Sequence, residues 1–77
     1  MSALLILIAA SGLAREVLAT LENQSRYRVL GIVDDEPSLH GTAVDGVGVL
    51  GPLDVINEYH DAQLLICAGH GRTRAII

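Results

Sequence analysis

Apolar positions run without alternation through Ala3-Leu4-Leu5-Ile6-Leu7-Ile8-Ala9 and stop at the small residues Ala10-Ser11-Gly12. A continuous run of this length fits a strand covered on both faces, as in a parallel α/β sheet. Beyond the small-residue turn the period changes. Ala14, Val17, Leu18 and Leu21 fall at i, i+3, i+4 and i+7, one face of a helix, with Arg15, Glu16, Thr20 and Glu22 on the polar side. The helix fades at the polar turn Asn23-Gln24-Ser25. Residues 27–33 read as a second strand, which ends on Asp34-Asp35-Glu36-Pro37. Strand, helix and strand at this spacing form a βαβ unit with a right-handed crossover. The two strands are then parallel neighbours with their carboxyl ends at one edge.

Short β-branched pieces, Thr42-Ala43-Val44 and Val47-Gly48-Val49, flank Asp45-Gly46. Asp-Gly signals a two-residue hairpin, because a type I′ turn needs positive φ at both positions. This reads as a connecting hairpin lying beside the parallel sheet. Gly51-Pro52 opens a second helix, with Leu53, Val55 and Ile56 facing inward and Asp54 at the positive helix end. Residues 62–68 make a third buried strand with Gly69-His70-Gly71 as its exit turn, and residues 72–77 begin another helix. The expected architecture is one α/β domain over residues 1–77. It has three parallel strands in order 2-1-3, near 3–9, 27–33 and 63–68, helices near 13–23 and 52–59, and an added β-hairpin. The pattern stops inside a helix at Ile76-Ile77, which reads as a truncated chain. An unpaired third strand and a cut helix favour self-association.

Composition narrows the chemistry. Hydrophobic residues make up 51% of the 77, yet Phe and Trp are absent, so the core must be aliphatic. The net charge of −4, with arginines and no lysine, argues against nucleic acid or an anionic membrane as partner. The missing lysine also excludes a P-loop, which needs one on the phosphates. A single cysteine, Cys67, excludes an internal disulfide, and its apolar neighbours mark it as a small buried hydrophobe. The N-terminus lacks a basic export region, and its apolar run is shorter than the roughly 20 residues that span a bilayer. A cytoplasmic protein is expected.

Ligands in open α/β sheets bind outside the carboxyl ends of the strands. Three segments meet there: Ala10-Ser11-Gly12-Leu13, Asp34-Asp35-Glu36 and Gly69-His70-Gly71. A strand feeding a helix through a tight turn aims unpaired N–H groups at one point, where phosphate or carboxylate is attracted. Against the dinucleotide pattern G-x-G-x-x-G, the corresponding positions are Ala9, Ser11 and Ala14, small but not glycine. An acid about 20 residues downstream occupies the place where dinucleotide folds bind ribose. Ser11 serves as helix cap, ligand contact or both. Asp34 and Asp35 are ligand carboxylates or a solvated loop, and His70 is a cap before it is a catalyst. His40 and His60 receive no role. No nucleophile–base set, paired-cysteine spacing or acid–base pair is present, so no catalytic or metal-binding residue is assigned.

Residues 9–17, 29–37, 46–51 and 69–74, taken as an ordered set, resemble the N-terminal domain of the PglD/NeuD-like sugar O/N-acyltransferases of bacillosamine and sialic-acid biosynthesis. That resemblance implies a small Rossmann-like, three-layer domain that binds a UDP-sugar-like molecule for a sugar acetyltransferase. Acetyl-CoA, the catalytic histidine and trimerisation belong in that family to a C-terminal left-handed β-helix, a part this sequence does not include. Carried onto this chain, Ser11, Gly12 and Leu13 lie at the sugar or phosphate, Asp34 and Asp35 near the nucleoside, and Gly69 and His70 at the cleft border. The usual turn, G-x-G-G-H-A, is altered by Ala9, Ser11 and Leu13. The rivals are a nicotinamide- or other nucleotide-binding module of a polysaccharide-biosynthesis protein, and a non-catalytic assembly domain.

Overall fold

A computed structural model describes residues 3–10 and 12–67. The chain forms β1 (Ala3–Ile8), helix α1 (Gly12–Leu21), β2 (Tyr27–Val33), a 3₁₀ turn (Pro37–Leu39), β3 (Ala43–Val44), β4 (Val47–Gly51), a 3₁₀ helix (Leu53–Glu58) and β5 (Gln63–Ile66). The result is a small α/β domain on one mixed sheet in the order β3-β4-β2-β1-β5. β1 lies inside it, parallel to β2 on one side and to β5 on the other.

The hairpin is where the expected sheet and the observed one part. It was expected to lie beside three parallel strands, but β4 joins the sheet, parallel to β2, and β3 adds an antiparallel edge. A bare β2 would expose a row of unpaired donors and acceptors, which β4 satisfies. The Asp45-Gly46 turn forms as read, with φ of 48° and 84° at its two positions.

The expected second α-helix is a six-residue 3₁₀ helix instead. Asp54, Val55, Ile56 and Asn57 are weak helix formers, and so short a segment gains little from cooperativity. Leu53, expected to face inward, is 39% exposed, while Val55 and Ile56 are half-buried. The exit turn Gly69-His70-Gly71 and the final helix lie outside the described residues.

The core is aliphatic, as the composition requires. Leu5, Leu7, Ile32, Val49, Leu65 and Cys67 form one cluster with Leu13 and Ala14 of α1, and Val17, Leu18 and Leu21 pack around it. Strand alternation turns Ile6 and Val33, both fully buried, to the opposite face. At the far end of α1, Gln24 closes the helix onto β2. Its amide donates to the Leu21 and Tyr27 carbonyls at 3.0 and 3.1 Å and accepts from the Tyr27 N–H at 2.9 Å. One of the carbonyls orphaned at the helix end is thereby satisfied. No described helix is long and apolar enough to cross a membrane.

Two register shifts shape β2. Its pairing with β1 skips Leu30, and its pairing with β4 skips Leu50. An extra residue of this kind bends a strand and increases its twist. Gly31 makes the bend possible, because a Cβ there would lie 2.5 Å from Leu50 Cγ. Gly31→Ala is expected to destabilise the domain by about 1–3 kcal/mol through overpacking. Adding Leu50→Ala should recover most of that loss in urea unfolding, a coupling that two independent sites would not show.

Candidate functional site

The carboxyl ends of β1, β2 and β4 meet at one edge, and Asp34 ties them together. Its N–H donates to the Gly51 carbonyl at the end of β4, 3.0 Å away. Its side-chain Oδ2 accepts the Ala10 N–H at 2.8 Å, and Oδ1 accepts the Glu36 N–H at 2.9 Å. Its carbonyl accepts from His40 Nε2 at 2.6 Å. A carbonyl carries no hydrogen, so Nε2 of His40 bears the proton. The Ala10 N–H bond, then the Glu36 N–H bond and the positive potential of His40, hold the Asp34 carboxyl below its ordinary value of 3.8, against a smaller upward push from burial.

Ala9 precedes this junction with φ of 84°, the left-handed region that favours glycine. Its N–H donates to the Val33 carbonyl at 2.8 Å, and the next N–H is held by Asp34. These two bonds stabilise a conformation that alanine alone avoids. The altered glycine position seen in the sequence thus retains a glycine-like backbone.

Asp35 behaves differently from its neighbour. It is exposed, and its Oδ1 accepts the Leu53 N–H at 2.9 Å, capping the 3₁₀ helix from 18 residues away. With Pro52, Leu53, Asp54, Ile56 and Asn57 it lines a shallow open groove at this edge. Gly12 begins α1 and is exposed, with open space where a side chain would stand. The Leu13 side chain is buried in the core cluster, so only its backbone is available to a ligand. Ser11, Gly69 and His70 lie outside the described residues. The structure thus brings together the ends of β1 and β2, and adds β4 and His40, which the sequence had left without a role. No local signal announces them. The Asp35 cap and the His40 contact are made across loops whose path depends on the sheet. His60 precedes β5, at the other end of the strands.

Charge at the edge is negative, with Asp34, Asp35 and Glu36 consecutive and Asp54 across the groove. Arg15 pairs with Asp45 at 3.8 Å, both exposed, a contact worth little in water. Arg28, paired with Leu4 of β1, stands at the opposite end of β2. Cys67 is fully buried, and desolvation raises its thiol above the ordinary range, which keeps it protonated and inert at neutral pH. Among the described residues, no group of three His, Cys, Asp or Glu is placed to hold a metal ion.

The ordered turn and acid segments, now set side by side, match a known family. A family model described as the PglD N-terminal domain covers residues 4–77. The chain belongs to the PglD N-terminal domain family. No individually curated protein matches it.

Two outcomes follow from Asp34 and Ala9. A depressed carboxyl contributes stability that is present above the unfolded value near 3.8 and is lost as pH falls through the lower folded value. Thermal unfolding from pH 6 to pH 2 should therefore show a shallower acid loss in Asp34→Asn than in the unmodified protein. Ala9→Gly should stabilise the fold by about 0.5–1 kcal/mol, as relief of backbone strain exceeds the added freedom of the unfolded chain. Urea unfolding measures this change.

Proposed function

We propose that this chain is the nucleotide-sugar-binding domain of a sugar acetyltransferase, with a Rossmann-like mode of binding at the carboxyl edge of its sheet. Membership of the PglD N-terminal domain family carries this reading. The geometry supports it through the junction of three parallel strand ends, with an exposed carboxylate, Asp35, beside an open groove. In this reading Asp35 lies near the nucleoside. The sugar or its phosphates lie toward Ser11, Gly12 and the backbone of Leu13, and Gly69 and His70 border the cleft.

The domain binds and presents substrate, and acyl transfer belongs to a partner domain that takes acetyl-CoA and trimerises. None of the residues at the edge is assigned to acetyl-CoA. A nicotinamide dinucleotide fits less well. The acid that ends β2 in dinucleotide folds receives ribose hydroxyls, whereas here both oxygens of Asp34 already accept backbone N–H groups.

Calorimetric titration of the purified chain is expected to show weak binding of uridine and UDP and none of NAD. Asp35→Ala should weaken uridine binding about tenfold, which corresponds to about 1.4 kcal/mol. His60→Ala, at the other end of the strands, should leave it unchanged. Equal effects from the two substitutions, with folding verified by circular dichroism, would refute the placement of the site.

A further inference from the structure

Resting on the nucleotide-sugar reading above, we propose that Asp34 determines specificity at the turn between β1 and α1. Its carboxylate occupies the Ala10 N–H and selects a neutral, hydroxyl-bearing group there in place of a phosphate. A turn that opens a helix ordinarily offers its free N–H groups to an external anion. Here one of those donors already holds an anion supplied by the chain itself.

The carboxylate is fixed in place. Oδ1 is anchored by the Glu36 N–H, and the Asp34 backbone is held on both sides, by Gly51 through its N–H and by His40 through its carbonyl. Asp34 therefore cannot swing aside for a phosphate without breaking contacts to β4 and to the following loop. Neutralisation from outside is also lacking. Among the described residues no arginine pairs with Asp34, Asp35 or Glu36, and Arg15 is engaged by Asp45. A hydroxyl meets no such obstacle. An ionised carboxylate has about four acceptor positions, and Asp34 spends two on backbone N–H groups. The remaining positions can accept from a sugar hydroxyl. The sugar of the ligand thus faces the Ala10 turn, and its diphosphate lies away from it.

Calorimetry with uridine, UDP and inorganic pyrophosphate tests this on the unmodified chain and on Asp34→Asn, which keeps an acceptor for Ala10 but loses the charge. The unmodified chain is expected to bind UDP no more tightly than uridine and to show no pyrophosphate binding. In Asp34→Asn the ratio of UDP to uridine affinity should rise about tenfold, the scale expected for removing one nearby like charge, and pyrophosphate binding should appear. An unchanged ratio, or equal loss of both ligands, would show a purely structural Asp34 and overturn the proposal. Pyrophosphate binding to the unmodified chain more tightly than uridine would overturn it without any variant. Failure of both uridine and UDP to bind would refute the nucleotide reading, and the pyrophosphate comparison would still decide the role of Asp34.

Discussion

The hydrogen bonds of Asp34 are the constraint on which the ligand edge depends. One residue at the end of β2 reaches the exit of β1 through Oδ2, the end of β4 through its N–H, and the loop at residues 36–40 through Oδ1 and its carbonyl. Backbone groups at strand ends have no ladder partner, and leaving them unmade in a partly desolvated place is costly. A carboxylate answers this well, because it accepts several N–H groups at once and each such bond is charge-assisted. Its placement also accounts for Ala9, whose left-handed backbone is held between the Val33 carbonyl and the Asp34-bound N–H of Ala10.

From that junction the two acids of the edge acquire different work. Asp34 faces inward to the backbone of three segments. Asp35 turns outward, capping the 3₁₀ helix with one oxygen and bordering the groove. Adjacent residues on an extended segment point to opposite sides, so one acid can hold the scaffold while the next meets solvent and ligand. The family to which the chain belongs is thus expressed here with an alanine where a glycine is usual, yet with the backbone path that the turn requires.

The body of the sheet rests on a simpler device. A glycine in β2 leaves room for a leucine of β4, and the two skipped residues let the strand twist while its neighbours stay in register. α1 covers the Leu5–Leu7 face with Leu13 and Ala14. A six-residue 3₁₀ helix follows β4 and leads into β5, a shorter element than the apolar pattern of Leu53, Val55 and Ile56 implied.

Much of this was legible in the chain itself. The unbroken apolar run Ala3–Ile8, the helical spacing of Ala14, Val17, Leu18 and Leu21, and the Asp45-Gly46 turn are local signals, and each element formed where its pattern lay. The order of β2, β1 and β5 followed from the handedness of the crossover, and the two acids after β2 marked the edge. What the tertiary structure decided were matters of pairing between distant segments. It placed β4 against β2, reduced the second helix to a 3₁₀ segment, turned the Leu13 side chain into the core, and gave Asp34, Asp35 and His40 their separate partners. Side-chain period and turn chemistry are properties of a few consecutive residues. Hydrogen bonds such as Asp35 to Leu53, across 18 positions, exist only once the sheet has brought their ends together.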